Sequence, residues 1–287
     1  MVAVTRFGYP LDNNLVKKLD LMVDRVSAKG SKHDLVLLFE GNEGEGKTTF
    51  SIAVAYYFSE QTGRPFDVNH VFFDVEQMIE FAQKTERQIM IWDEPALQAL
   101  TTDWGSKAVK DLTRLLMMAR KKQHIILINM TKFYKFNEYT AVDRPLGMIH
   151  VYSRKNIYNG RFVYIRKKNL EPLWRDYKFA KKRNYGKYAS KTIRGTFPDI
   201  LSPKYPNNVL SEFDVDAYEK KKDEAINSIG KNEKQSKKAQ ELQVLKAKIV
   251  RFLKNHNYQF KDVAEEFGEK PSTMSNWGQR YDELLNE

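Results

Sequence analysis

The eight residues Gly41-Asn42-Glu43-Gly44-Glu45-Gly46-Lys47-Thr48 constrain the fold of this chain more than any other stretch. The apolar run Leu35-Val36-Leu37-Leu38-Phe39 precedes them and Thr49-Phe50-Ser51-Ile52-Ala53-Val54-Ala55 follows, so the order reads strand, glycine loop, helix. Glycines let the backbone N–H groups of such a loop curl round an anion, and the helix N-terminus adds the positive end of its dipole. A chain of phosphates suits that cradle, with residues 41–49 around it. Lys47 is placed to reach the β- and γ-phosphates, and the Thr48 hydroxyl to ligate Mg²⁺.

A site of this kind needs an acidic residue at the end of a second buried strand, and Gln88-Ile89-Met90-Ile91-Trp92-Asp93-Glu94 supplies two. Asp93 is the expected Mg²⁺ partner, acting through water, and Glu94 the residue that polarises an attacking water. With Gly41–Thr48 and Asp93-Glu94 together, the stretch from about Leu35 to Arg154 resembles the additional-strand P-loop NTPases that carry a catalytic glutamate. That class includes RecA-like, AAA+ and FtsK/HerA-type motors. The resemblance implies ATP and Mg²⁺ as ligands and hydrolysis as the chemistry. It also implies a polar γ-phosphate sensor after a further strand, where His124-Ile125-Ile126-Leu127-Ile128-Asn129-Met130-Thr131 offers Asn129 first and Thr131 second. Such motors work as oligomers in which a neighbour's arginine steadies the transition state, and Arg120 and Arg114 are the candidates. The order of elements is also similar to that of phage and plasmid-encoded transfer or assembly ATPases, including Zot-like proteins.

Composition sets the outer bounds. The 287 residues hold 48 Lys and Arg against 37 Asp and Glu, a net charge of +11, which makes polyanions the natural partners. There is no cysteine, so disulfide scaffolds and thiol nucleophiles are excluded and a cytoplasmic location is the expectation. No apolar run reaches the length of a membrane span, so no membrane partner is expected. The five histidines lack metal-ligand spacing, and His124 reads as structural.

Along the chain, residues 1–33 read as an N-terminal arm and a helix capped by Asp12 and carrying Leu15, Val16, Leu19, Met22, Val23 and Val26 inward. Tyr9 is placed either in packing or beside an adenine ring. Residues 34–168 read as the P-loop core, with strands at 34–40, 69–74, 88–94, 124–131 and 147–152. Asn159-Gly160 predicts a hairpin between residues 156–158 and 162–165 that extends the sheet edge. Residues 169–229 form a basic aromatic extension. From Arg161 to Arg194 there are twelve basic and two acidic residues, interleaved with Trp174, Tyr177, Phe179, Tyr185 and Tyr188. Cations for phosphates and ring faces for unstacked bases suit a nucleic acid, single strands in particular; a solvated edge or interdomain surface has the same composition.

Residues 230–240 are low in apolar content and read as a linker. Beyond it, 241–287 suggests three helices: one through Leu242, Leu245, Ile249 and Leu253, a second around Ala264 ending at Gly268, and a third opened by Pro271. The pattern resembles a helix-turn-helix domain, with Ser272, Thr273, Ser275, Asn276 and Arg280 toward the major groove. Its seven basic and eight acidic residues suit a protein partner as well.

The expected fold is therefore α/β: a P-loop NTPase with a five-stranded, mostly parallel sheet between helices, plus a small all-α C-terminal helix-turn-helix-like domain. The expected function is an ATP-hydrolysing motor acting on DNA by translocation or packaging in an oligomeric ring. A non-translocating ATP-dependent DNA-binding regulator shares every motif, and a small-molecule kinase or a nucleotide-gated assembly protein shares the loop.

Overall fold

The computed structural model describes residues 2–5, 8–28, 31–93, 107–153, 160–201 and 213–227, with scattered positions between 245 and 273. The chain divides into two compact units, Met1–Ile226 and Asn227–Glu287. The linker expected at 230–240 lies outside the described residues.

The arm is more ordered than its sequence suggested. Val2–Val4 (β1) pairs antiparallel with Pro10–Asp12 (β2). Asn13–Ser27 (α1) follows directly, because the Asp12 carboxylate accepts the N–H groups of Asn14 and Leu15 at 3.0 Å each. Leu15, Leu19, Met22 and Val26 recur at helical spacing, and all four are buried.

Five parallel strands make the core: Leu35–Glu40 (β3), Val71–Phe72 (β4), Ile89–Trp92 (β5), Ile125–Met130 (β6) and Gly147–Tyr152 (β7). Arg161–Arg166 (β8) and Ala189–Thr196 (β9) then add antiparallel, giving the order β4-β5-β6-β3-β7-β8-β9. The sheet has seven strands rather than five. β6 stands between β3 and β5, so the glycine loop and Asp93 leave strands that are not neighbours.

Every residue of β3, β5 and β6 is buried, as continuous apolar runs covered on both faces require. Alternation divides them between two cores. Leu35, Leu37 and Phe39 face α1 and Lys47–Thr62 (α2). Val36 and Leu38 face Val75–Lys84 (α3), Lys107–Lys122 (α4) and Lys167–Ala180 (α5). Helix α2 buries an unbroken run from Phe50 to Phe58, which puts it in the interior rather than on an amphipathic surface.

The expected extension of the sheet edge is present in β8, and the first arm and turn of the Asn159-Gly160 hairpin fall partly outside the described residues. Strand β8 pairs with β7 over six residues, from Gly147 opposite Arg166 to Tyr152 opposite Arg161, whereas residues 156–158 lie outside the described residues. Pairing along β7 covers that strand's open edge. Gly160 also has a packing role: a Cβ there would fall 2.0 Å from the Phe197 ring, while its carbonyl accepts the Phe197 N–H at 3.0 Å.

In the C-terminal unit, residues 245, 246, 248–250, 252 and 253 are helical. The inward face differs from expectation: Val250 is buried, whereas Leu245 and Ile249 are exposed. Ser275, Asn276 and Arg280 lie outside the described residues.

Candidate nucleotide site

The carboxyl ends of β3, β5 and β6 open on one edge of the sheet, where ligands of parallel α/β folds bind. Residues 41–46 leave β3 there and enter α2. Gly46 caps the helix with φ 88°, a left-handed conformation that a side chain would strain. It makes no side-chain cap hydrogen bond to the first turn of α2, the kind of helix start that suits an anion. The Gly41 N–H is tied to the Met130 carbonyl at 3.2 Å, which fixes the loop's start to the end of β6. Lys47 is buried and its ammonium donates to the Asn42 carbonyl at 2.6 Å. Within the loop, the Glu45 carboxylate accepts the Asn42 N–H at 2.7 Å and its amide nitrogen at 3.1 Å. The loop thus takes an anion on its own backbone, which fits a phosphate ligand. Glu43 and Gly44 are exposed, and Thr49 is half-buried.

Sequence reasoning missed the residue that supports this loop from beneath. The Phe197 ring stacks on Phe50 with centroids 4.1 Å apart and planes 1° apart. Its edge lies 3.2 Å from the position a Gly46 Cβ would take. No periodicity marks Phe197, because it follows β9 in an irregular segment.

Asp93 is fully buried at the end of β5, and three side chains from distant positions converge on it. The Thr48 hydroxyl lies 3.0 Å from both carboxylate oxygens. Asn129 Nδ2 donates to Oδ1 at 2.7 Å and to the Ser51 hydroxyl at 2.9 Å. The Tyr218 hydroxyl donates to Oδ2 at 2.7 Å. Asn129 Oδ1 is buried and finds no hydrogen-bond partner among the described residues, leaving an acceptor at the site. Among the described residues no three His, Cys, Asp or Glu side chains cluster to hold a metal outright. A hydroxyl beside one carboxylate suits Mg²⁺, which keeps several waters and takes phosphate oxygens. Glu94 lies outside the described residues.

Beside the loop, Glu40 closes β3 with 4% exposure. One carboxylate oxygen pairs with His150 Nδ1 on β7 at 2.6 Å and the other accepts the Tyr185 hydroxyl at 2.7 Å. Tyr185 stacks on His150 with centroids 4.0 Å apart, and burial raises its phenol pKa well above the ordinary value. Tyr185–Tyr188 (α6) belongs to the basic aromatic stretch, so that stretch reaches the residue preceding Gly41.

The same packing corrects the expectation of base stacking. Trp174 donates to the Phe136 carbonyl at 3.2 Å, Tyr188 donates to Asp176 at 2.6 Å, and Tyr177 stacks on Tyr134 at 3.4 Å. Arg183 lies over both Tyr134 and Tyr177, and Lys178 lies over Trp174. These rings are committed to the fold, and Phe179, 83% exposed, is the exception. Lys168, Arg175, Lys178, Lys181, Lys182, Arg183, Lys187, Lys191 and Arg194 are exposed. Arg120 and Arg114 are exposed on α4, Arg114 lying 3.4 Å from Asp111. Tyr9 is fully buried and donates to the Ala53 carbonyl at 2.6 Å, a core position rather than one beside a base.

A scan against protein-family models finds none that matches this chain, and a search of curated proteins finds no match either. Among the described residues no helix is long and apolar enough to cross a membrane.

Proposed function

We propose that this chain is an ATP hydrolase of the additional-strand P-loop class that acts on DNA as an oligomeric motor. The observation that carries this reading is the contact of Thr48 with Asp93 at the open edge of the sheet, beside the N-terminus of α2. The position of β6 between β3 and β5 supports the class. In this reading, residues 41–49 bind the phosphates through backbone N–H groups, and Lys47 exchanges the Asn42 carbonyl for phosphate oxygens. Thr48 and Asp93 would hold Mg²⁺, which would supply Lewis-acid stabilisation of the phosphate charge. Glu94 orients a water toward the γ-phosphorus and takes its proton, while Asn129 braces Asp93 and senses the γ-phosphate. As the new P–O bond forms, the bond to the bridging oxygen breaks and ADP leaves. Arg120 or Arg114 reaches the site of a neighbouring subunit.

DNA is the partner because the exposed cations lie on the stretch that contacts Glu40. With most rings packed inward, the contact is to backbone phosphates, which favours duplex over unstacked single strands. The test is steady-state ATP hydrolysis with no polymer, single-stranded DNA, duplex DNA and RNA at two salt concentrations. Salt-sensitive stimulation by duplex is expected. Lys47→Ala should abolish nucleotide binding, and Glu94→Gln should retain binding while stopping turnover. Unstimulated turnover would point to a kinase or assembly role, and equal turnover in wild type and Glu94→Gln would remove the catalytic assignment.

A further inference from the structure

We propose that Tyr218 is a positioning residue for the Mg²⁺–nucleotide site, delivered to Asp93 by a helix that lies beyond the sheet in sequence. The inference rests on the nucleotide reading of residues 41–49 and deepens it. Tyr218 belongs to a helix spanning residues 215–227 (α7), and 125 residues separate it from Asp93. Its side chain is 4% exposed, and its ring packs against Phe73 at 5.6 Å and Phe213 at 5.9 Å.

The geometry at the carboxylate carries the argument. Asn129 holds Oδ1 and Tyr218 holds Oδ2, each at 2.7 Å, so the plane of Asp93 is pinned from both ends. Thr48 bridges both oxygens at the longer distance of 3.0 Å. When the Thr48 hydroxyl turns to a metal, the two flanking donors keep the carboxylate from rotating. Residues that hold a ligand from behind tune metal affinity without touching the metal.

The helix is also anchored where a shift would be felt. Lys221, one turn after Tyr218, donates to the carbonyls of Val68 at 3.0 Å and Val71 at 2.8 Å. Its ammonium stands over Phe72 on β4, next to the strand that ends in Asp93, and burial lowers its pKa. The described residues of the site therefore draw on three parts of the chain: the glycine loop, the strand ends and α7.

The experiment compares the full-length wild type, Tyr218→Phe and Lys221→Met. Binding of a fluorescent N-methylanthraniloyl ATP is measured in EDTA and across a Mg²⁺ titration, with Tm recorded for each protein. Tyr218→Phe is expected to raise the Mg²⁺ concentration for half-maximal enhancement of binding about tenfold, leaving affinity in EDTA within about twofold. Lys221→Met, which leaves the phenol in place, should shift the Mg²⁺ midpoint in the same direction by a smaller factor. An unchanged midpoint in both variants would overturn the proposal. So would equal weakening with and without Mg²⁺ accompanied by a lower Tm, the signature of a residue that only packs. If the wild type binds the probe in neither condition, the nucleotide reading itself fails, which is a different result from a wild type that responds to Mg²⁺ beside a variant that responds equally.

Discussion

At the residue scale, His124 shows how a side chain read as structural acquires a measurable role. It is fully buried; Nδ1 accepts the Gln88 N–H at 3.1 Å, and Nε2 faces the Ala82 carbonyl at 3.1 Å. Both bonds are made by the neutral ring with its proton on Nε2. Burial lowers its pKa below the ordinary 6.5; Arg64 and Lys122 act in the same direction, against the Ala82 bond and Glu86. The sign follows. Below about pH 6.5 the unfolded chain binds a proton that the folded chain refuses, so stability is present above that pH and is lost as pH falls toward the lowered value. Urea unfolding should show stability decreasing between pH 7 and 5.5, by at most about 1.4 kcal/mol per pH unit from this one proton. His124→Asn should be less stable at pH 7 and show a smaller dependence over that range. An equal slope in both proteins would assign the loss to other groups. Candidate residues Asn129, Thr48 and Asp93 were legible because each closes or opens an element. Tyr218 was not, since one tyrosine in a charged helix carries no periodic signal.

At the element scale, the segment after β9 matters more than its irregular sequence suggests. Phe197 is 5% exposed and joins the core shared by α1 and α2. Removing its ring leaves a cavity directly under Gly46, and Phe→Ala changes in cores cost about 3–5 kcal/mol. Phe197→Ala should therefore lose that order of stability by urea unfolding and also weaken binding of the fluorescent ATP. Phe197→Leu should recover most of the stability, and the two readouts together separate support of the loop from global packing. A Phe197→Ala protein with unaltered nucleotide affinity would reduce the stacking on Phe50 to ordinary core contact. Strand β9 escaped sequence reading because it is an edge. Its Lys191 and Arg194 are exposed and only Ile193 is a buried aliphatic side chain, so the alternation that announces a strand is thin.

At the scale of the whole molecule, the net charge of +11 is distributed unevenly, and the run from Arg161 to Arg194 carries much of it. Lys178, Lys182 and Lys191 are exposed. A triple change of these to glutamate should weaken duplex binding and flatten its dependence on salt. Each phosphate contact removed lowers the slope of log affinity against log salt by about 0.9. Fluorescence anisotropy of a labelled duplex at several salt concentrations reads this directly. An unchanged slope would make the stretch a solvated surface and return attention to the C-terminal unit.

Sequence alone determined the parts whose physics is local. A glycine loop between an apolar strand and a helix has one sensible geometry, and runs such as Ile125–Met130 demand burial on both faces. Tertiary structure decided whatever depends on contacts between positions far apart in the chain. It set β6 between the strands of the two motifs, extended the sheet beyond β8 by β9, turned the aromatic rings of the basic stretch inward, and brought Phe197 and Tyr218 to the loop and to Asp93. Such pairings follow from which surfaces must be covered once the sheet exists, and no window of sequence contains both partners.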